Sequence, residues 1–272
     1  MINSINKKNG LRKVMIIVGM CFVLGLFSGC LDLSDETNEN QTGNTTENIT
    51  ESIDSTEATS DEQITSEANI GGTTDDLAGL TVTFLDVGQG NAVLFSCDDH
   101  YMMMDGGPSS ASSFVVSYLK KQNIESLDYV IASHYDSDHI NGLVGVLNVF
   151  DTETFIGPDY VADTKIYDSL MDKLAAQNLT VTFPKAGDAY TFGDAVFTIV
   201  APITYSDDNE NDNSVGIRIT YGDRSFLIYG DGEEAGEQAM IASGEELSSD
   251  VLMVSHHGSR NATTKEMLEA VK

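Results

Sequence analysis

Residues 134–139 read His134-Tyr-Asp136-Ser-Asp138-His139, placing four metal-competent side chains within six positions. They follow an apolar run at residues 127–133, so the cluster falls at the mouth of a predicted strand. His134 and Asp136 stand at i and i+2, while Asp138 and His139 are adjacent on the following turn. One short loop can therefore offer ligands to two neighbouring cations. That arrangement makes a hydroxide at neutral pH and clamps both oxygens of a displacement. The plainer reading is a polar turn in which Asp138 caps the next helix. Four such groups packed this closely favour the metal centre.

The remaining ligand types repeat the pattern. The chain holds five histidines: two in that loop, the adjacent pair His256-His257, and His100 by itself. The pair follows an apolar run at residues 250–255. Tyr229-Gly-Asp231-Gly closes another predicted strand in a glycine-flanked turn that exposes the Asp231 carboxylate. Singly, Asp231 reads as a turn residue and the pair as structural histidines. Recurrence at three strand ends is what ligands converging on one rim would produce.

The elements that must position these groups follow from hydrophobic periodicity. Strands are predicted at residues 80–86, 91–95, 101–104, 127–133, 180–183, 195–200, 215–221, 224–229 and 250–255. Helices are predicted over 110–122, from near His139 through Phe150, over 164–177 and 233–243, and from Thr263 onward. Many strands with helices in both halves imply an α/β fold, two sheets packed together with helices outside.

The N-terminal third has a different composition. Residues 1–29 carry Lys7, Lys8, Arg12 and Lys13, no acid, and an apolar core from Val14 to Phe27. That is the pattern of a secretory signal, and the apolar run is short for a membrane span, which needs about 20 residues. Ser28-Gly29-Cys30 resembles a bacterial lipobox, implying lipidation at Cys30. Phe27 stands where Leu is commoner. An uncleaved anchor helix is the other reading, and both put the remaining chain outside the membrane. Residues 30–78 read as an acidic, Ser/Thr-rich disordered tether, too poor in apolar groups to offset its ordering entropy. Residues 79–272 then form a domain long enough for a sizeable core. The three cysteines give no disulfide framework. The formal net charge is −29, and no basic stripe with interleaved aromatics is visible. Generic DNA binding by such a surface is disfavoured.

In their order and spacing, Leu85-Asp86-Val-Gly-Gln89-Gly-Asn-Ala92, Asp105-Gly-Gly107, Ser133 to Gly142, Asn213-Ser-Val215, Tyr229-Gly-Asp231 and Ser255-His-His-Gly-Ser259 resemble metallo-β-lactamase-fold hydrolases. Within that group the likeness is greatest to the hydrolase domain of ComEC-type DNA-internalisation competence proteins, here as a stand-alone lipoprotein. The resemblance spans nearly all of the predicted domain. It implies an αββα sandwich of two mixed sheets. It assigns His134 and Asp136 to one metal, Asp138, His139 and His257 to the second, and Asp231 to a bridge between them. His256 becomes an alternative ligand or proton donor, and Asp138 the partner that orients the attacking hydroxide. Asp105 orients the ligand loop, and Asp86, Gln89, Asn213 and Ser259 belong to substrate contact or ligand support.

Three departures qualify the resemblance. Asp136 stands where the wider superfamily has His, which hardens the site and makes Mn²⁺ compete with Zn²⁺. No histidine lies between residues 140 and 255, where most members supply a third ligand. Asn213, Asp212 or water would have to serve, leaving one or two divalent ions. Relatives usually continue past the final helix with a strand and a Gly-His-Pro element, so the expected fold is C-terminally truncated. The resulting expectation is a metal-dependent phosphodiester hydrolase on the outer face of a bacterial cytoplasmic membrane, acting on nucleic acid or a cell-wall polymer. The alternatives are a lactone, thioester or β-lactam hydrolase, and a surface binding module with a degenerate site.

Overall fold

The computed structural model describes Met15–Ile17, by backbone alone, and residues 79–272. The predicted tether, Cys30 as the predicted lipidation residue and the rest of the predicted signal lie outside the described residues. Among those described, no helix is long and apolar enough to cross a membrane.

Among the described residues there are two six-stranded mixed sheets. The first contains β2 (Leu80–Phe84), β3 (Val93–Cys97), β4 (His100–Met104), β5 (Ser126–Ile131), β6 (Asp151–Ile156) and β7 (Val181–Thr182), in that spatial order. Its first three strands are antiparallel, and from β4 onward neighbours are parallel. The parallel connections run through α1 (Ser112–Lys121), α2 (Ser137–Leu147) and α3 (Lys165–Ala176), as parallel strands require a crossover.

The second sheet runs β1 (Met15–Ile17), β12 (Val251–Met253), β11 (Arg224–Tyr229), β10 (Gly216–Tyr221), β9 (Ala195–Ala201) and β8 (Ala189–Phe192). β8 to β11 form an antiparallel meander, and β12 is parallel to both β11 and β1. α4 (Glu234–Ser243) and α5 (Lys265–Val271) complete the fold.

Three apolar layers explain why these elements stack. Phe95, Met102, Met104 and Ile131 pack against Phe197, Ile199, Ile217 and Ile228 between the sheets. The other face of the first sheet, through Leu94, Met103, Val130 and Phe155, buries Val115, Leu119, Leu143 and Val146 of α1 and α2. On the far face of the second sheet, Leu227, Tyr229 and Leu252 pack with Met240 of α4 and Met267 of α5. Alternation along each strand sends successive side chains to opposite layers, and each fully buried aliphatic contributes about 2 kcal/mol. The expected αββα sandwich is present.

Three strands escaped the sequence reading, the first being β1, which falls within the residues read as the apolar core of a signal and instead pairs with β12. β6 begins Asp-Thr-Glu-Thr, with only Thr152, Phe155 and Ile156 buried, so its exposed acids hid a central strand. β8 carries a single fully buried residue, Phe192, and sits on an edge. α2 starts at Ser137 rather than near His139, which puts Asp138 and His139 in its first turn.

Candidate metal centre

β5 ends at Ile131 and delivers Ser133 and His134 beyond its last paired residue. Their positions are fixed from β4. Asp105 follows that strand in a left-handed conformation (φ 57°) and donates its N–H to the Ile131 carbonyl at 2.9 Å. Its buried carboxylate accepts from Ser133 N (2.8 Å), Ser133 Oγ (2.7 Å) and His139 Nδ1 (2.9 Å). The Ser133 hydroxyl proton is therefore committed to Asp105. Toward His134 Nδ1, 3.1 Å away, that oxygen acts as an acceptor. Each Nδ1 is thus placed as a donor and Nε2 turns inward, the arrangement common to ligating imidazoles.

Backbone contact locks the same loop from behind. Gly106 N donates to His139 O (2.8 Å) and Gly142 N to Gly107 O (3.0 Å). A Cβ on Gly142 would fall onto the Gly106 carbonyl, so two glycines let the β4 turn and the first turns of α2 meet backbone to backbone.

Opposite this loop, β11 delivers Asp231. A Cβ on Gly230 would lie 2.5 Å from Ser133 Cβ. The ends of β5 and β11 therefore touch across the sandwich, and Val215 N donates to Ser133 O at 2.7 Å. After β12 come His256 and His257, both left-handed at φ 49° and 52°, a conformation unfavourable for side chains with a Cβ. His256 N donates to Gly230 O at 3.1 Å. Strain of this kind persists only where the surroundings impose it.

The side chains meet at Asp231. Its Oδ2 lies 3.2 Å from His139 Nε2, 3.1 Å from His257 Nε2 and 3.8 Å from His256 Nε2. Asp138 Oδ2 is 3.3 Å from His257 Nε2 and 4.0 Å from His139 Nε2. Asp136 Oδ2 is 3.6 Å from His134 Nε2. Two ligand groups emerge, His134/His139/Asp231 and Asp138/His139/His257, each with donor atoms within 4.8 Å of one another. His139 belongs to both, whereas the family pattern had assigned it to the second metal alone.

The electrostatics show a cluster held together by opposite charge. Burial opposes a charge on Asp231, but the imidazoles of His139 and His257 outweigh it and hold its carboxyl far below the ordinary range. Burial likewise opposes the imidazolium of His139. Asp105 and Asp231 reverse that and raise it to about 10. Asp138 and Asp231 overcome the burial of His257 and raise it to about 9.

Four buried atoms facing this cluster have no hydrogen-bond partner among the described residues: Nε2 of His134, His139 and His257, and Asp231 Oδ1. Buried polar atoms normally find one. Imidazole nitrogens and carboxylate oxygens around one small space are the donor set of Zn²⁺ or Mn²⁺, and ligands of one tetrahedral ion stand about 3.4 Å apart. The residues fit divalent metal.

Other residues named from sequence fall into place around this core. Asp86 and Gln89 are exposed on the turn before β3. Gly90 of that turn lies so close to the Asp138 carbonyl that a Cβ would overlap it, which puts the turn beside the site. Ser259 N donates to His256 O (2.8 Å), and its hydroxyl accepts from Asn261 N (3.4 Å).

Asn213 and Asp212 correct the expectation of a third ligand between residues 140 and 255. The Asn213 amide is spent on Ser206, accepting from its N (2.6 Å) and donating to its O (3.0 Å). Asp212 Oδ1 accepts from Glu233 N (2.9 Å) and Gly236 N (3.1 Å), capping α4. Neither side chain is available to the centre.

Two acids were missed. Glu233 Oε1 lies 3.0 Å from His256 Nδ1, and Glu237 is fully buried beneath the histidine turn. The sequence reading placed both in the helix at 233–243 and gave neither a role. The one signal was Glu237 falling three positions before Met240, on the apolar face of α4.

The profile of the Metallo-beta-lactamase superfamily matches residues 85–272. ComE operon protein 3 of Bacillus subtilis (strain 168) is 23% identical over 209 residues, covering 70% of this chain and 27% of that protein. Recombination protein 2 of Haemophilus influenzae is 30% identical over 196 residues, covering 70% of this chain and 23% of its own length. The chain thus spans about a quarter of the length of the curated relatives it matches. Among solved structures, a subclass B3 metallo-beta-lactamase of Bradyrhizobium japonicum aligns at a TM-score of 0.45 and 13% identity, covering 65% of this chain and 75% of that one.

Proposed function

The chain belongs to the Metallo-beta-lactamase superfamily, and from that premise we propose that it is a metal-dependent phosphodiester hydrolase working outside the cytoplasm. The observation that carries the reading is the set of four buried atoms at Asp231 and its facing histidines that find no hydrogen-bond partner among the described residues. His134, Asp136, Asp138, His139, Asp231 and His257 would hold the metal, with Asp231 shared. Bound divalent ions would supply Lewis acidity and a water acidified to near neutral pH.

The protein's own groups divide the remaining work. Asp105 keeps the His139 proton on Nδ1, leaving Nε2 as a donor atom. Asp138, a quarter exposed and 3.3 Å from His257 Nε2, orients the attacking water and takes its proton. His256 places Nδ1 3.0 Å from Glu233 Oε1 and Nε2 3.8 Å from Asp231 Oδ2, so it is the group placed to deliver a proton to the leaving oxygen. Asp86 and Gln89 border the substrate's path. Asp136 brings the set to three carboxylates and three imidazoles, which supports Mn²⁺ as well as Zn²⁺.

An anionic substrate could enter this acidic chain because divalent ions held by these residues would offset the local carboxylates. The basic, apolar N-terminus ending at Cys30 supports export and lipid anchoring on the outer face of the cytoplasmic membrane.

The test is metal content of the purified chain by plasma mass spectrometry, beside Asp231→Ala and His134→Ala. Turnover of bis(p-nitrophenyl) phosphate and of nitrocefin follows. About two metals per chain, lost in the variants, with phosphodiester hydrolysis alone, is the expected result. One metal would identify a mononuclear centre. Hydrolysis of nitrocefin instead would move the substrate to lactams, lactones or thioesters. A folded protein that takes up neither Zn²⁺ nor Mn²⁺ would be a binding module.

A further inference from the structure

The turn carrying His256 and His257 does not hold itself. Both histidines are left-handed, and Thr263, which closes the same excursion, is left-handed as well at φ 53°. Three β-carbon-bearing residues in that region within eight positions cost of order 1–3 kcal/mol each. The turn packs no fully buried large apolar side chain of its own. Something outside it must impose its shape.

α4 supplies that constraint. Glu234 N, in the first turn of the helix, donates to Asn261 O at 3.1 Å. One turn further on, the Glu237 side chain is fully buried. It accepts three hydrogen bonds from the far end of the excursion: Thr263 N at 2.5 Å, Thr264 N at 2.8 Å and Thr264 Oγ1 at 2.7 Å. Thr263 Oγ1 in turn accepts from Ser255 N at 3.0 Å, the residue immediately before the histidines. Both ends of the turn are thereby tied to one carboxyl group on α4.

We infer that Glu237 is a positioning residue for the metal centre, acting through Thr263 and Ser255 to hold His257 Nε2 beside Asp138 and Asp231. The inference rests on the reading of His257 as a ligand. Among the described residues the Glu237 carboxyl hydrogen-bonds Thr263 and Thr264, neither of them in a ligand group, which makes the claim separable from structural support in general. A residue that only stabilised α4 would change folding without changing what His257 binds.

Three forms of the full chain test this: wild type, Glu237→Gln and Met240→Ala. The first variant keeps size but turns an amide donor toward N–H groups. The second opens the same helix's core contact, since Met240 is fully buried against the second sheet. Each form is titrated with Co²⁺, and the visible ligand-field spectrum and dissociation constant are read. Glu237→Gln is expected to weaken binding about tenfold to a hundredfold and to change the band intensities as His257 is lost. Met240→Ala is expected to lower the thermal midpoint by about 5 °C or more with the wild-type spectrum retained.

If Glu237→Gln does not fold, Thr263→Val serves instead. It removes the hydroxyl that accepts from Ser255 N, and Thr263→Ser, which keeps it, must restore the wild-type spectrum. Spectra and affinities unchanged in Glu237→Gln, or in Thr263→Val where that variant stands in, would overturn the inference while leaving the metal centre intact. A wild-type chain that binds no Co²⁺ would fail earlier, at the reading of His257 as a ligand.

Discussion

The centre is built from two ligand-bearing turns held in different ways. The turn at residues 133–139 is clamped by main chain: Gly106 and Gly142 meet without side chains between them, and the Gly106 and Gly142 amides donate to His139 and Gly107 carbonyls. Asp105 adds three hydrogen bonds in its interior. The turn at residues 255–264 has left-handed histidines and relies on side chains of α4, Glu233 and Glu237. Backbone clamps fail through steric overlap and take the fold with them. Carboxylate clamps can fail chemically and leave the fold standing. The first turn should therefore be intolerant, and the second adjustable.

The largest expected break is in the first turn. Gly142→Ala places a methyl group on the Gly106 carbonyl and should cost about 3 kcal/mol, read as a shift in the urea midpoint. Asp105→Asn comes next, because it offers an amide donor to the Ser133 hydroxyl and His139 Nδ1. Roughly 2–3 kcal/mol of stability should go with a tenfold or greater loss of metal affinity, measured by isothermal titration. A variant that folds and binds as wild type would show that the main-chain contacts alone suffice.

pH sharpens the comparison, since Asp231 joins the two turns. In the metal-free chain, His139 and His257 are raised to about 10 and about 9 from an ordinary 6.5. A raised imidazole contributes stability fully present below pH 6.5 and lost as pH climbs through those values. Asp231 is lowered from 3.8, so its contribution is present above pH 3.8 and lost as pH falls below it. The metal-free stability from this cluster should thus be greatest between about pH 4 and 6.5, and Asp231→Ala should flatten both limbs in pH-dependent denaturation. Added metal must displace the imidazole protons, so its affinity should rise with pH up to about 9 to 10.

The smallest effect concerns Asn213. With its amide committed to Ser206, Asn213→Ala should cost about 1–2 kcal/mol and leave metal content unchanged by mass spectrometry. Loss of one metal in that variant would return Asn213 to the ligand set.

Much of the site was readable because its ligand loops are local. His134 to His139 lie in six consecutive positions, and Gly230-Asp231-Gly232 announces an exposed carboxylate within a few residues of a strand. What could not be read was of long range. Glu237 and Glu233 look like ordinary helix surface, and only the packing of α4 against the 255–264 turn makes them partners of that turn. Asp212 and Asn213 show the converse. Their residue types suited a metal, but their groups were already satisfied by α4 and Ser206. β6 was missed for a related reason: its Asp-Thr-Glu-Thr start carries no apolar period, and pairing on both sides by β5 and β7 makes it a strand.

The amino-acid sequence by itself determined which groups could bind metal, that they stand at strand ends, and that the chain forms an α/β sandwich with an acidic surface. Hydrophobic period and turn chemistry act over a few residues, and these features are written at that range. Tertiary structure alone decided that His139 serves both ligand groups, that Asp231 lies where the two turns meet, and that Nδ1 of each loop histidine is placed as a donor. Those outcomes depend on the ends of β5 and β11 touching across two packed sheets. Only the burial of that junction deprives the inward-facing atoms of water and leaves a cation as their fitting partner.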